Sequence, residues 1–201
     1  MKAYLIKASA NSNFKRYKQY MGAPPQSIFS VAAVTPDWVD LHLLDETSQA
    51  PASLDFRGDL VAVFASTPDV LRAYQLADYF RQQNITVVIG GLHASFMPEE
   101  ARQHADAVMI GEAEYVWPQL LQDFRDGALK PVYQSQQPTS MLAMKPYPYG
   151  DIDLSPYDGV GSVMVSRGCK FKCDFCTVNQ FFRVYTSDRW LMLSMKSAVL
   201  A

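Results

Sequence analysis

Cysteine is scarce in this sequence and confined to one place, all three thiols falling between Cys169 and Cys176. An odd, clustered set with no secretion signal ahead of it argues against a disulfide framework and for a reducing compartment. A basic excess is also missing, the net charge being −2, so no nucleic-acid partner is indicated, and there is no long acidic tail. The opening MKAYLIKASANSNF holds only a very short apolar run, too little for a signal peptide or a membrane span. The protein is therefore expected in the cytoplasm. Repeats and low-complexity tracts are absent as well. What is present is apolar residue, 49% of the chain, enough for one full domain with a real core and a fragment of another.

Short apolar runs alternate with helical patterns. AYLIKAS from Ala3 predicts a first strand, and Pro24 and Pro25 open a helix to about Val34. WVDLHLLD from Trp38 predicts a second strand. DLVAVFAS, ending at Ser66, predicts a third with the Val and Phe density of a strand buried on both faces. Thr67-Pro68-Asp69 is a helix start, with a capping hydroxyl, Pro at the first helical position and an acid in the first turn. That helix presents Val70, Leu71, Tyr74, Ala77 and Phe80 at helical spacing and ends at Asn84. ITVVIGG predicts a fourth strand that breaks at Gly90 and Gly91. A short helix over Pro98 to His104, a fifth strand in AVMIGEAE and a helix from about Tyr115 to Asp126, stopped by Gly127, follow. Such alternation implies a parallel five-stranded sheet covered on both faces: a small doubly wound, Rossmann-like α/β domain over residues 1–133. Its ligand end is the set of loops at the strand C-termini.

Across residues 134–160 the pattern dissolves among Pro138, Pro146, Pro148 and Pro156, which reads as a linker. Residues 161–201 form a third segment, in which GSVMVSRG predicts one more strand running straight into Cys169-Lys170-Phe171-Lys172-Cys173-Asp174-Phe175-Cys176. A loop with this spacing can bring three thiolates around one face of a cubane cluster. Four cysteines are the usual ligand set of such clusters, so three leave one iron open to a small molecule. Zinc is the competing occupant, but it requires a fourth Cys or His, and none follows Cys176.

CKFKCDFC at the end of a strand resembles the signature of the radical S-adenosylmethionine superfamily. The resemblance implies a [4Fe-4S] cluster on Cys169, Cys173 and Cys176, whose open iron is chelated by the amino and carboxylate groups of S-adenosylmethionine. One electron then breaks the sulfonium bond and gives a 5′-deoxyadenosyl radical that abstracts hydrogen from an unactivated carbon of a small-molecule substrate. It implies further that Phe175 lies near the adenine and that a reducing donor of flavodoxin or ferredoxin type supplies the electron, with Lys170 and Lys172 able to dock it. Local packing is the plain alternative for Phe175, and a solvated pair for the lysines.

The segment ITVVIGGLHASFMPEEARQHADAVMIGEAEYVWPQLLQDF resembles the cobalamin-binding domain that precedes the radical module in one large subfamily, which includes cobalamin-dependent methylases and an anaerobic cyclase. The resemblance covers about Leu41 to Val178 and implies cobalamin as a further cofactor. The residues are compatible with this. Gly90 and Gly91 let backbone approach a bulky group, Gly111 does the same beside Glu112, and Ser66 and Thr67 offer hydroxyls on what should be one rim. The glycines could instead serve tight turns, and Thr67 a simple cap. His93 follows the Gly pair, either to contact a cofactor phosphate or substrate or to bond at a helix entry. Asp40-Leu41-His42 nearly matches the Asp-x-His-x-x-Gly motif that supplies an axial histidine, but it lies in an alternating strand pattern and ends in Asp45 rather than Gly. No histidine is expected below the cobalt.

A complete barrel of the radical type takes about 250 residues and a partial one well over half of that, whereas the sequence runs on from Cys176 only to Ala201. The expectation is a truncated fragment whose catalytic barrel is mostly missing, with no catalytic side chain assignable and a helix over Trp190 to Met195 with little to cover. The expected function is radical methyl transfer or a related radical reaction. The alternative is a non-catalytic Rossmann-like binding module with a metal-binding, cysteine-rich tail.

Overall fold

The computed structural model describes residues 1–10, 24–47, 54–136, 139–140, 144–148, 155–157, 161–162, 164, 166–182 and 186–187. Strands β1 (Lys2–Lys7), β2 (Asp40–Asp45), β3 (Leu60–Phe64), β4 (Thr86–Gly90), β5 (Ala107–Ile110) and β6 (Val132–Gln134) form one parallel sheet in the order β2-β1-β3-β4-β5-β6. Helices α1 (Gln26–Ala33), α2 (Val70–Gln82), α3 (Leu92–Phe96), α4 (Pro98–His104) and α5 (Val116–Arg125) supply the crossovers. This is the doubly wound architecture expected. Its order reverses between β1 and β3, and in such sheets ligands bind outside the strand C-termini at that switch.

Side-chain alternation divides the core. Ala3 and Leu5 point with Leu60, Ala62 and Val88 toward α1 and α5, where Ile28, Phe29, Trp117, Leu120 and Leu121 pack. Tyr4 and Ile6 point with Val61, Val63 and Ile89 toward α2, α3 and α4, against Ala73, Leu76, Ala77 and Phe80. Strand β3 is buried at every position, which is why LVAVF carries no polar residue. Trp117 is fully buried and its indole N–H donates to Thr35 Oγ1 at 2.9 Å, so the one polar atom of the ring is satisfied.

Three features depart from the expectations. The sheet has a sixth strand, β6, where the domain was expected to end with five. Tyr133 is its buried residue, and its hydroxyl donates to Asp123 of α5 at 2.9 Å. The helix after the Gly pair begins at Leu92, earlier than Pro98, and a break at Met97 separates α3 from α4. Before α2, Thr67–Asp69 is a 3-10 turn whose N-cap is Ser66, and Asp69 is the N-cap of α2, so Thr67 holds neither cap position. Asn84, which ends α2, does so in the left-handed region at φ 60°.

The described parts of the Pro-rich segment lie against the domain. Tyr157, in a 3-10 turn (Ser155–Tyr157), is buried in the α1 face of the core, with Phe29 edge-on at 6.2 Å. Of the strand expected over GSVMVSRG, the paired residues are β7 (Ser166–Arg167), antiparallel to β8 (Thr186–Ser187). Val163 and Val165 lie outside the described residues, as does the stretch in which a helix over Trp190 to Met195 was expected. Helix α6 (Val178–Phe182) follows the cysteines.

Candidate functional site at the strand C-termini

The loops after β3, β4 and β5 meet on one rim, as expected. Ala65 N–H donates to Gly90 O at 3.3 Å, His93 N–H to Ala65 O at 3.4 Å, and Gly111 N–H to Ser95 Oγ at 2.9 Å. The three glycines have different reasons to be there. A Cβ on Gly90 would stand 3.0 Å from the Phe64 ring and 3.2 Å from Met109 Cε, so this position serves packing under the rim. Gly91 has φ +97°, and a Cβ there would meet Ala65 O at 2.8 Å, so it serves the close approach of two loops. Gly111 has φ +78° and nothing within 4 Å of where its Cβ would be. Of the three it is the glycine at which a Cβ would face open space.

Of the polar side chains expected on the rim, Thr67 is exposed, Ser66 is half-buried and His93 is buried. Ser66 Oγ donates to Asp69 Oδ2 at 2.6 Å, and Thr67 Oγ1 lies 3.3 Å from His93 Nδ1. His93 is buried, its Nε2 is 3.4 Å from Glu100 Oε1, and Tyr74 lies edge-on to it at 6.3 Å. Among the described residues its Nε2 makes no hydrogen bond. His42 lies within β2 and stacks on Tyr4 at 4.8 Å, as its strand pattern required. At the end of β1, Ser9 N–H donates to Glu46 Oε2 at 3.2 Å and Ala10 N–H to Asp69 Oδ1 at 3.1 Å. Glu46 is itself forked by Arg72 through contacts of 2.7 and 3.1 Å.

Glu112, singled out beside Gly111, is buried and leads to residues the sequence reading missed. Its Oε1 accepts from Arg167 Nη1 at 2.7 Å and its Oε2 from Thr139 N–H at 2.8 Å. Arg167 Nη2 donates to Glu114 Oε1 at 2.5 Å. All three side chains of this ion triad are buried. Burial opposes the guanidinium charge, but Glu114 and then Glu112 outweigh it and hold the Arg167 pKa above its ordinary value. The available signal was two acids flanking Ala113 in a loop between apolar elements, and an Arg just ahead of the first cysteine.

Beyond Arg167 the chain turns at Gly168, φ +79°, into the cysteine loop. All three cysteines are free thiols, with Cys173 exposed and Cys169 and Cys176 partly so. Cys176 N–H donates to Cys173 O at 3.1 Å, and the Asn179 amide to Phe171 O. Among the described residues no group of three Cys, His, Asp or Glu stands close enough together to hold a metal ion. The donor set itself, three free thiols on one short exposed loop, has the chemistry a cluster requires. Phe175 is 91% exposed, which rules out local packing as its reason in this structure. Lys170 and Lys172 are exposed. Two small cavities, about 210 and 100 Å³, flank Gly111 and Glu112 beneath Phe181 and Phe182. No helix among the described residues is long and apolar enough to cross a membrane.

A doubly wound parallel sheet whose loops after β4 and β5 carry the glycines is the architecture of α/β domains that bind ligands outside the strand C-termini. Residues 23–121 match the family described as the B12 binding domain, and the chain carries that domain. Bacteriochlorophyllide d C-8(2)-methyltransferase of Chlorobaculum tepidum is 38% identical over 157 residues, covering 75% of this chain and 35% of that protein. The C-12(1)-methyltransferase of the same organism is 32% identical over 158 residues, 76% of this chain and 35% of that protein. Hopanoid C-2 methylase of Rhodopseudomonas palustris is 27% identical over 162 residues, 77% of this chain and 30% of that protein. The chain thus spans about a third of the length of these relatives.

Proposed function

We propose that the chain joins a corrinoid-binding rim to an iron–sulfur cluster loop and serves radical-based methyl transfer to an unactivated carbon. The observation that carries this reading is that Cys169 leaves the rim two residues after Arg167, itself ion-paired to Glu112 beside Gly111. Gly111 gives a corrinoid its open surface on the rim, and Gly90 and Gly91 shape the turn beneath it. Cys169, Cys173 and Cys176 are the ligands for a [4Fe-4S] cluster, and exposed Phe175 is available to an adenine ring. Lys170 and Lys172 present positive charge to an acidic donor of flavodoxin or ferredoxin type. When bound, the cluster supplies one electron to S-adenosylmethionine and the corrinoid carries the methyl group. The match to methyltransferases acting on bacteriochlorophyllide d, and to a hopanoid methylase, supports a bulky, largely apolar acceptor.

The test is spectroscopic. The full chain is reconstituted anaerobically with iron and sulfide, mixed with hydroxocobalamin, and S-adenosylmethionine is added to the reduced protein. The expected result is iron–sulfur absorption, retained corrinoid bands and a change in the paramagnetic signal on adding S-adenosylmethionine. A colourless protein that takes up zinc instead supports the non-catalytic alternative and overturns the proposal.

A further inference from the structure

We propose that Arg167 is a positioning residue that staples both flanks of the cysteine loop to the rim through Glu112 and Glu114. Its meaning for catalysis rests on the function proposed above; the staple itself does not. Each of the three guanidinium nitrogens has a partner. Nε–H donates to Met164 Sδ at 3.2 Å on the incoming side of the loop. Nη1 and Nη2 reach Glu112 and Glu114, which lie 55 and 53 residues away in sequence. On the outgoing side the Phe182 ring of α6 lies 5.7 Å from Arg167 Cζ, a cation–π contact. One side chain therefore touches the segment before the cysteines, the helix after them and the loop that follows β5.

Burying three charges costs several kcal/mol for each ion, and an apolar trio of the same volume is often no less stable. Stability alone is a weak reason for the triad. What charge adds is register. The two carboxylates accept from the two arms of one planar fork, so the strand entering the cysteine loop has one seating on the rim. The Thr139 N–H on Glu112 holds one of those acceptors in place.

The test compares the full-length wild type with Arg167→Met and with a triple variant, Arg167→Met, Glu112→Gln and Glu114→Gln, in which no buried charge is left unpaired. Two quantities are measured in each: the thermal midpoint, and the rate at which endoproteinase Lys-C cuts after Lys170 and Lys172 relative to Lys130. Arg167→Met is expected to lower the midpoint and to speed loop cutting about tenfold or more. In the triple variant the midpoint is expected to recover while cutting stays fast. Loop protection that follows the midpoint in all three proteins, or loop cutting unchanged by Arg167→Met, overturns the staple. Neither readout requires bound metal or corrinoid. A wild type that binds no iron or cobalamin would count against the proposed function and leave this result standing.

Discussion

Tyr157 donates its hydroxyl proton to Asp45 Oδ2 at 2.8 Å, and both side chains are buried although 112 residues separate them. Asp45 closes edge strand β2, and its other oxygen accepts from the Thr47 backbone N–H at 2.9 Å and hydroxyl at 2.6 Å. The bond fastens the Pro-rich segment to the sheet that it follows. Tyr157→Phe removes one partner from a buried carboxylate and keeps the ring, and should cost about 1–2 kcal/mol. Tyr157→Ala also empties the pocket beside Phe29 and should cost roughly 3–5 kcal/mol. Urea midpoints at constant slope measure both. Equal losses for the two variants would show that the hydroxyl carries the whole effect.

The rim glycines should respond unequally to a methyl group. Gly91→Ala drives a Cβ toward Ala65 O at a positive φ and should cost roughly 3 kcal/mol. Gly111→Ala meets no atom and should cost only about 1 kcal/mol of backbone strain. The new methyl faces the open rim, so Gly111→Ala should weaken hydroxocobalamin binding in a chain that still folds. A thermal melt paired with a corrinoid titration separates the two effects. Unchanged affinity in Gly111→Ala would remove Gly111 from the binding surface.

Asp69 makes stability depend on acid. Burial alone would raise its pKa, but hydrogen bonds from Ser66 and the Ala10 N–H, together with Lys7 at 3.3 Å, hold it below the ordinary carboxylate value. A depressed carboxylate stabilises the fold above its unfolded pKa, about 3.9, and that contribution is lost as pH falls through the lower folded value. Asp69→Asn should therefore be less stable than wild type near neutrality, and the gap should narrow as the pH drops below about 4. Denaturant midpoints over that range give the comparison. A gap independent of pH would assign the loss to packing.

The central elements were legible because β3 and β4 are buried on both faces and show as unbroken apolar runs, and because Gly91, Asn84 and Gly127 mark their turns. Strand β6 was not. It is three residues long, follows Pro131 and buries Tyr133 alone, so it carries no period to read. Helix α3 is too short to show one either, and its first residue stands directly after a Gly pair. Within the site, the glycines and thiols could be picked out by residue type. The Arg167 triad could not, since it joins residues more than fifty positions apart, and nothing local to Glu112 or Glu114 names their partner. Ser66, Thr67 and His93 were chosen for what their polar atoms could reach outward. Asp69 takes the Ser66 hydroxyl within the fold, and Thr67 and His93 lie against each other.

Elemental analysis of the anaerobically reconstituted chain, loaded with hydroxocobalamin and desalted, is the most direct measurement. Wild type should carry about four irons together with one cobalt per chain, and Cys173→Ser should lose the iron while keeping the cobalt. Iron-free wild type, or iron content untouched by Cys173→Ser, would contradict the joining of a cluster loop to a corrinoid rim.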